Sequence, residues 1–101
     1  MQLSISLKLK KSFASEETLK KNYGKLFKRI ILCTSILLGA DTLQDVPNVP
    51  PTRRHKLSGF YQDCWGIDLG KNWRMVLRPL PPCEILNKIK NIEIVDIVDY
   101  H

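Results

Sequence analysis

Ile5 and Leu7 alternate with Ser4, Ser6 and Lys8, a period of two that predicts a short strand over residues 3–8. Ser15 followed by Glu16 and Glu17 is a helix start, a capping hydroxyl with carboxylates at the positive end of the helix dipole. Leu19, Tyr23, Leu26, Ile30, Cys33 and Leu37 then recur at spacings of four and three, one apolar face that belongs to a core. Gly24 interrupts it at a cost of about 1 kcal/mol relative to Ala, so two consecutive helices are expected, with Gly39 as the stop. Pro47, Pro50 and Pro51 mark a connector from the helical layer to a sheet.

Beyond it, Tyr61, Trp65, Ile67 and Leu69 share one parity. After Gly70-Lys71-Asn72, so do Trp73, Met75 and Leu77. That is a hairpin pattern with both tryptophans inward and Arg74, Val76 and Arg78 on the opposite face. Pro79, Pro81 and Pro82 end the second strand, and Ile92-Glu93-Ile94-Val95-Asp96-Ile97-Val98 is a β-branched run that forms a last strand and anchors the C-terminal residues. The expected fold class is α+β: N-terminal helices packed on a small antiparallel β-sheet, in a single domain over residues 1–101.

Composition narrows the possible partners. No apolar stretch approaches the length of a membrane span, and the first residues lack the order of a secretory signal, so a cytoplasmic protein with no membrane partner is expected. Cys33, Cys64 and Cys83 form no CxxC pair, which argues against a disulfide framework and a metal site. The formal net charge is +6. Lys8, Lys10, Lys11, Lys20, Lys21, Lys25, Lys28 and Arg29 face only Glu16 and Glu17 in the first thirty residues. Arg53, Arg54, Lys56, Lys71, Arg74 and Arg78 outnumber Asp63 and Asp68 in the later cluster. A basic field of this kind favours polyanions.

Three segments concentrate the chemistry: Arg53-Arg54-His55-Lys56-Leu57-Ser58-Gly59, the strand bearing Arg74 and Arg78, and Asp99-Tyr100-His101. The succession RRHKLSG, WGIDLGKNWRMVL and VDYH, with YGK at Tyr23 to Lys25, resembles the HigB branch of the RelE/ParE superfamily of bacterial toxins. The resemblance runs over essentially the whole chain, and its specificity lies in the ordered combination.

The resemblance implies a toxin of a toxin–antitoxin system that enters the ribosomal decoding site and cuts messenger RNA without metal or other cofactor. A ribose 2′-hydroxyl attacks the adjacent phosphate to give a 2′,3′-cyclic phosphate end, so one proton must be removed, another supplied and the phosphorane stabilised. Carried over by position, His55 and His101 divide proton transfer and positioning, Arg74 holds the scissile phosphate, and Tyr100 stacks on a base or donates to phosphate. Asp99 orients its neighbours. Arg53, Arg54, Lys56 and Arg78 are expected RNA phosphate contacts. The expected protein partner is a helix-turn-helix antitoxin of the HigA kind. Ser58 stands where a common form of the motif has lysine. Two other readings share the fold: a ParE-type gyrase poison, and a catalytically inactive relic that binds antitoxin or nucleic acid.

Overall fold

A computed structural model describes residues 1–70 and 72–99. Its sheet is mixed: strands β1 (Gln2–Ile5), β2 (His55–Lys56), β3 (Trp65–Asp68), β4 (Trp73–Pro79) and β5 (Asn91–Asp99) lie in the order β1-β5-β4-β3-β2. Helices α1 (Glu16–Tyr23) and α2 (Phe27–Gly39) come between β1 and β2 in the chain. Ser15 caps α1 through a capping box with Thr18. Gly24, at φ 50, ends α1 and opens a single 3₁₀ turn that redirects the chain into α2. Ile30, Cys33 and Leu37 of α2 and Leu19 of α1 are buried against Trp65, Ile67, Met75, Leu77, Ile92 and Ile94 of the sheet.

Two features depart from the expected antiparallel sheet. β1 pairs with β5 in parallel, Gln2 opposite Asn91 through Ile5 opposite Ile94. A parallel partner needs a long crossover, and everything between residues 5 and 91 supplies it. In β5 the pairing with β4 slips at Val76/Leu77, so that Leu77 faces Ile94 whereas Val76 faces Asp96. The extra residue reverses the side-chain parity, as a β-bulge does. Ile92 and Ile94 point into the core before it and Ile97 after it, while Asp96 is turned to the outer face.

The hairpin is also shorter than its apolar parity suggests. Gly59–Tyr61 form a 3₁₀ turn, and β3 begins only at Trp65. No helix among the described residues is long and apolar enough to cross a membrane.

Candidate active site on the outer sheet face

The outer face is organised by the register of three strands. His55, Gly66, Val76 and Asp96 form one row across the sheet, and Asp68, Arg74 and Val98 form the next. The segment from Leu57 to Cys64 arches over the first row. Tyr61, in the β2–β3 connection, reaches over β3 and β4 to donate its hydroxyl to Asp96 Oδ2 at 2.8 Å, and Val76 beneath is fully buried. Arg78 Nε meets Asp63 Oδ2 at 3.0 Å, and Lys56 Nζ donates to the Gln62 carbonyl. Asp96 also accepts from Lys8 Nζ at 2.7 Å and from the Ile97 N–H at 2.8 Å. Burial pushes the Asp96 carboxyl up, but these hydrogen bonds outweigh it and hold the group below the usual carboxylate value.

What the arch leaves open is a pocket of about 330 Å³ lined by His55, Lys56, Leu57, Ser58 and Arg74. Residues far apart in the chain meet here because β3 lies between β2 and β4. His55 Nδ1 lies 2.7 Å from the Arg53 carbonyl. A carbonyl oxygen only accepts, so Nδ1 carries the proton and, in the neutral ring, Nε2 carries the lone pair. The ring lies over Gly66: a Cβ built there would sit 3.2 Å from His55 Nε2 and 2.9 Å from Leu57 Cδ2. Glycine at 66 is what lets the imidazole rest on the strand.

Arg74 is set by Asp68. Its Nε lies 3.1 Å from Asp68 Oδ1, and its Nη1 donates to the Trp73 carbonyl at 3.1 Å. Asp68 simultaneously takes Arg53 in a fork, Nε to Oδ2 at 2.6 Å and Nη2 to Oδ1 at 3.0 Å. These hydrogen bonds raise the Arg53 guanidinium above its ordinary value, so it stays charged. Two guanidinium groups thus meet on one carboxylate. Arg53 reaches this position from a left-handed backbone, φ 45, unusual for a residue with a side chain.

The remaining predicted residues fall elsewhere. Arg54 Nε donates to the Val46 carbonyl at 2.8 Å, and its guanidinium stands 5.7 Å from the centre of the Trp65 ring. Lys56 Nζ stands 5.6 Å from the same ring while Lys56 also borders the pocket. Arg78 is four residues beyond Arg74, roughly 13 Å along a strand, and pairs with Asp63 and Glu93 instead. Burial works to lower the Arg78 guanidinium, and the hydrogen bond to Asp63 with the nearby negative charges outweighs it. Asp99 is exposed opposite Trp73, in a row whose parity is that of the core face, and does not line the pocket. Tyr100 and His101 lie outside the described residues.

Sequence reasoning passed over Gly66 and Asp68. Their signal was present as i and i+2 on the polar side of a strand whose neighbour carries arginines. Among the described residues no group of three or more His, Cys, Asp or Glu side chains is placed to hold a metal. All three cysteines are free thiols. No protein-family model matches the chain, and no curated protein matches its sequence.

Proposed function

We propose that this protein is a HigB-like toxin with a RelE-like fold, a metal-independent endoribonuclease that cuts messenger RNA on the ribosome. The observation that carries the reading is the pocket in which His55, with Nε2 as the lone-pair nitrogen of its neutral ring, faces the same opening as Arg74 and Lys56. In this reading His55 Nε2 takes the proton of the attacking 2′-hydroxyl as the 2′-oxygen bonds to phosphorus. Arg74 stabilises the phosphorane oxygens, and the 5′-oxygen leaves with a proton supplied from the closing Tyr100-His101 segment. The bond to the 5′-oxygen breaks as the cyclic phosphate closes, with no change of oxidation state. Ser58 borders the pocket where the common motif has lysine, and the positive charge there comes from Lys56 and Arg74.

The same reading supplies a helix-turn-helix antitoxin as the protein's partner and the cytoplasm as its place of action. The test is to map new messenger RNA 5′ ends in a translating bacterial extract after adding the wild-type protein, His55→Ala or a form lacking His101. Cuts within codons that weaken at least a hundredfold in both variants are expected, since a positioned proton-transfer group is worth about 10² to 10⁴ in rate. Cuts that persist in both variants would refute the assignment of the site. An extract left uncut, with DNA breaks in a parallel gyrase assay, would replace the reading by gyrase poisoning.

A further inference from the structure

Phe60 is the most exposed large hydrophobic side chain among the described residues, 90% accessible. It stands on the arch two residues beyond Ser58, which borders the pocket, so its Cα is no more than about 7 Å along the chain from the pocket rim. An aromatic ring left in water forgoes most of its burial energy. The ring is braced from behind. Tyr61 meets it edge to face, centroids 5.0 Å apart and planes at 80°, and Tyr61 is itself tied through its hydroxyl to the buried carboxylate of Asp96. The turn below is closed by Gln62 N–H to the Gly59 carbonyl and by Cys64 N–H to the Tyr61 carbonyl.

We infer that Phe60 is a stacking platform for one unpaired base of the RNA whose phosphate occupies the pocket beside Arg74. This deepens the ribonuclease reading and rests on it. An exposed aromatic ring on the loop that borders a pocket lined by Arg74 and Lys56 suits the way single strands are gripped, with cations taking the phosphates and the aromatic face taking the base. A protein-docking anchor would stand within a contiguous apolar patch. Around Phe60 the arch carries Ser58, Gln62 and Asp63 together with Tyr61 and Leu57, and the pocket adds Lys56 and Arg74, a mixed surround rather than an apolar patch. Stacking selects bases by their planes rather than by hydrogen-bond pattern. Phe60 therefore contributes grip and a mild preference for large bases at one position next to the cut.

The experiment uses purified ribosomes programmed with a short messenger RNA, intact or carrying an abasic nucleotide at each position flanking the cut, and compares wild type, Phe60→Ala, Phe60→Leu and Phe60→Trp. Phe60→Ala and Phe60→Leu should cut the intact message about 5- to 100-fold less efficiently, while Phe60→Trp stays near wild type. At one abasic position wild type should fall to the level of Phe60→Ala, and Phe60→Ala should fall no further. Urea melting of the four proteins should agree to within about fivefold in the unfolding constant, about 1 kcal/mol, the size of the edge-to-face contact with Tyr61. Wild-type cleavage with Phe60→Ala unchanged on every message overturns the stacking role and leaves the ribonuclease reading standing. Full activity in Phe60→Leu also overturns it, in favour of plain apolar contact. Unchanged cleavage in Phe60→Ala together with lost binding to an antitoxin assigns the ring to a protein interface instead. An uncut message with wild type removes both readings together.

Discussion

Asp68 is the side chain on which the geometry of the pocket depends, and the two arginines it holds should depend on it unequally. Arg74 is 17% exposed and Asp68 19%, so their contact at 3.1 Å is largely out of solvent. A hydrogen bond between charged groups in such a setting is worth about 1.5–3 kcal/mol. Arg53 makes the shorter and doubled contact, 2.6 and 3.0 Å, but its side chain is 41% exposed. Screening there reduces an ion pair to about 0.2–1 kcal/mol, with the fork geometry placing it near the upper end. Arg53 also occupies a left-handed conformation that costs a residue with a Cβ roughly 1–2 kcal/mol.

Double-mutant cycles on urea unfolding separate these quantities. Asp68→Ala with Arg74→Ala should give a coupling energy of about 2 kcal/mol, and Asp68→Ala with Arg53→Ala about 1 kcal/mol. Asp68→Ala alone should cost more than either coupling, because it leaves two cations facing each other. Arg53→Gly should be more stable than Arg53→Ala by about 1 kcal/mol, since glycine removes the same ion pair and the backbone strain as well. A coupling to Arg53 that equals or exceeds the coupling to Arg74 would refute the claim that burial, not contact distance, sets the strength of these pairs. Arg53→Gly no more stable than Arg53→Ala would refute the strain at residue 53.

Three further outcomes rest on the same geometry. Gly66→Ala should destabilise the protein by about 1–2 kcal/mol and displace the imidazole, because the added methyl meets Leu57 and His55 and only the leucine tip moves freely; an unchanged urea midpoint together with unchanged histidine proton shifts in NMR would contradict it. Asp96, with its carboxyl held low when folded, contributes stability that is complete above the ordinary aspartate value near 3.9 and lost as pH falls through the folded value. Thermal melts of wild type should therefore drop more steeply than those of Asp96→Asn as pH falls from about 4 to about 2, and parallel slopes there would count against the Lys8–Asp96–Tyr61 network. Cys64 is buried, and burial with the Asp63 hydrogen bond pushes its thiol to about 11, while burial also raises Cys33. Iodoacetamide at neutral pH should modify the half-exposed Cys83 first and reach the other two only in denaturant; early alkylation of Cys64 would refute this.

Much of the helical layer was legible because its signals are local. The spacing of Leu19, Ile30, Cys33 and Leu37, the cap at Ser15 and the break at Gly24 depend on neighbours within a turn or two. Strand direction is not local: the alternation around Ile5 is the same whether the partner runs parallel or antiparallel, and only the fold settles that β1 runs with β5. The bulge in β5 was hidden for a related reason. Strict alternation through Ile92, Ile94 and Asp96 would put a carboxylate in the core, and that conflict was the one clue that the register slips. Tyr61 shares parity with Trp65 but sits beyond Gly59, whose φ of 69 starts a turn rather than a strand.

The candidate site was half legible for the same physical reason. His55 and Arg74 are conspicuous as residue types, whereas Asp68 reads as a solvated charge until the register sets it opposite Arg74. The basic cluster of residues 50–80 then divides by partner rather than by sequence distance. Arg78 is spent on holding the arch through Asp63 and Glu93, and Arg54 lies against Trp65. Arg53 and Arg74 both meet Asp68, at the pocket end of the outer face. One half of the face is closed over Val76 and Asp96 by apolar burial and paired charges, and the other borders a pocket lined by Arg74 and by a histidine whose tautomer is fixed. The face is thus divided by which side chains close over it: Tyr61, Lys8 and Arg78 hold the arch end together, while His55, Ser58 and Arg74 border what stays open.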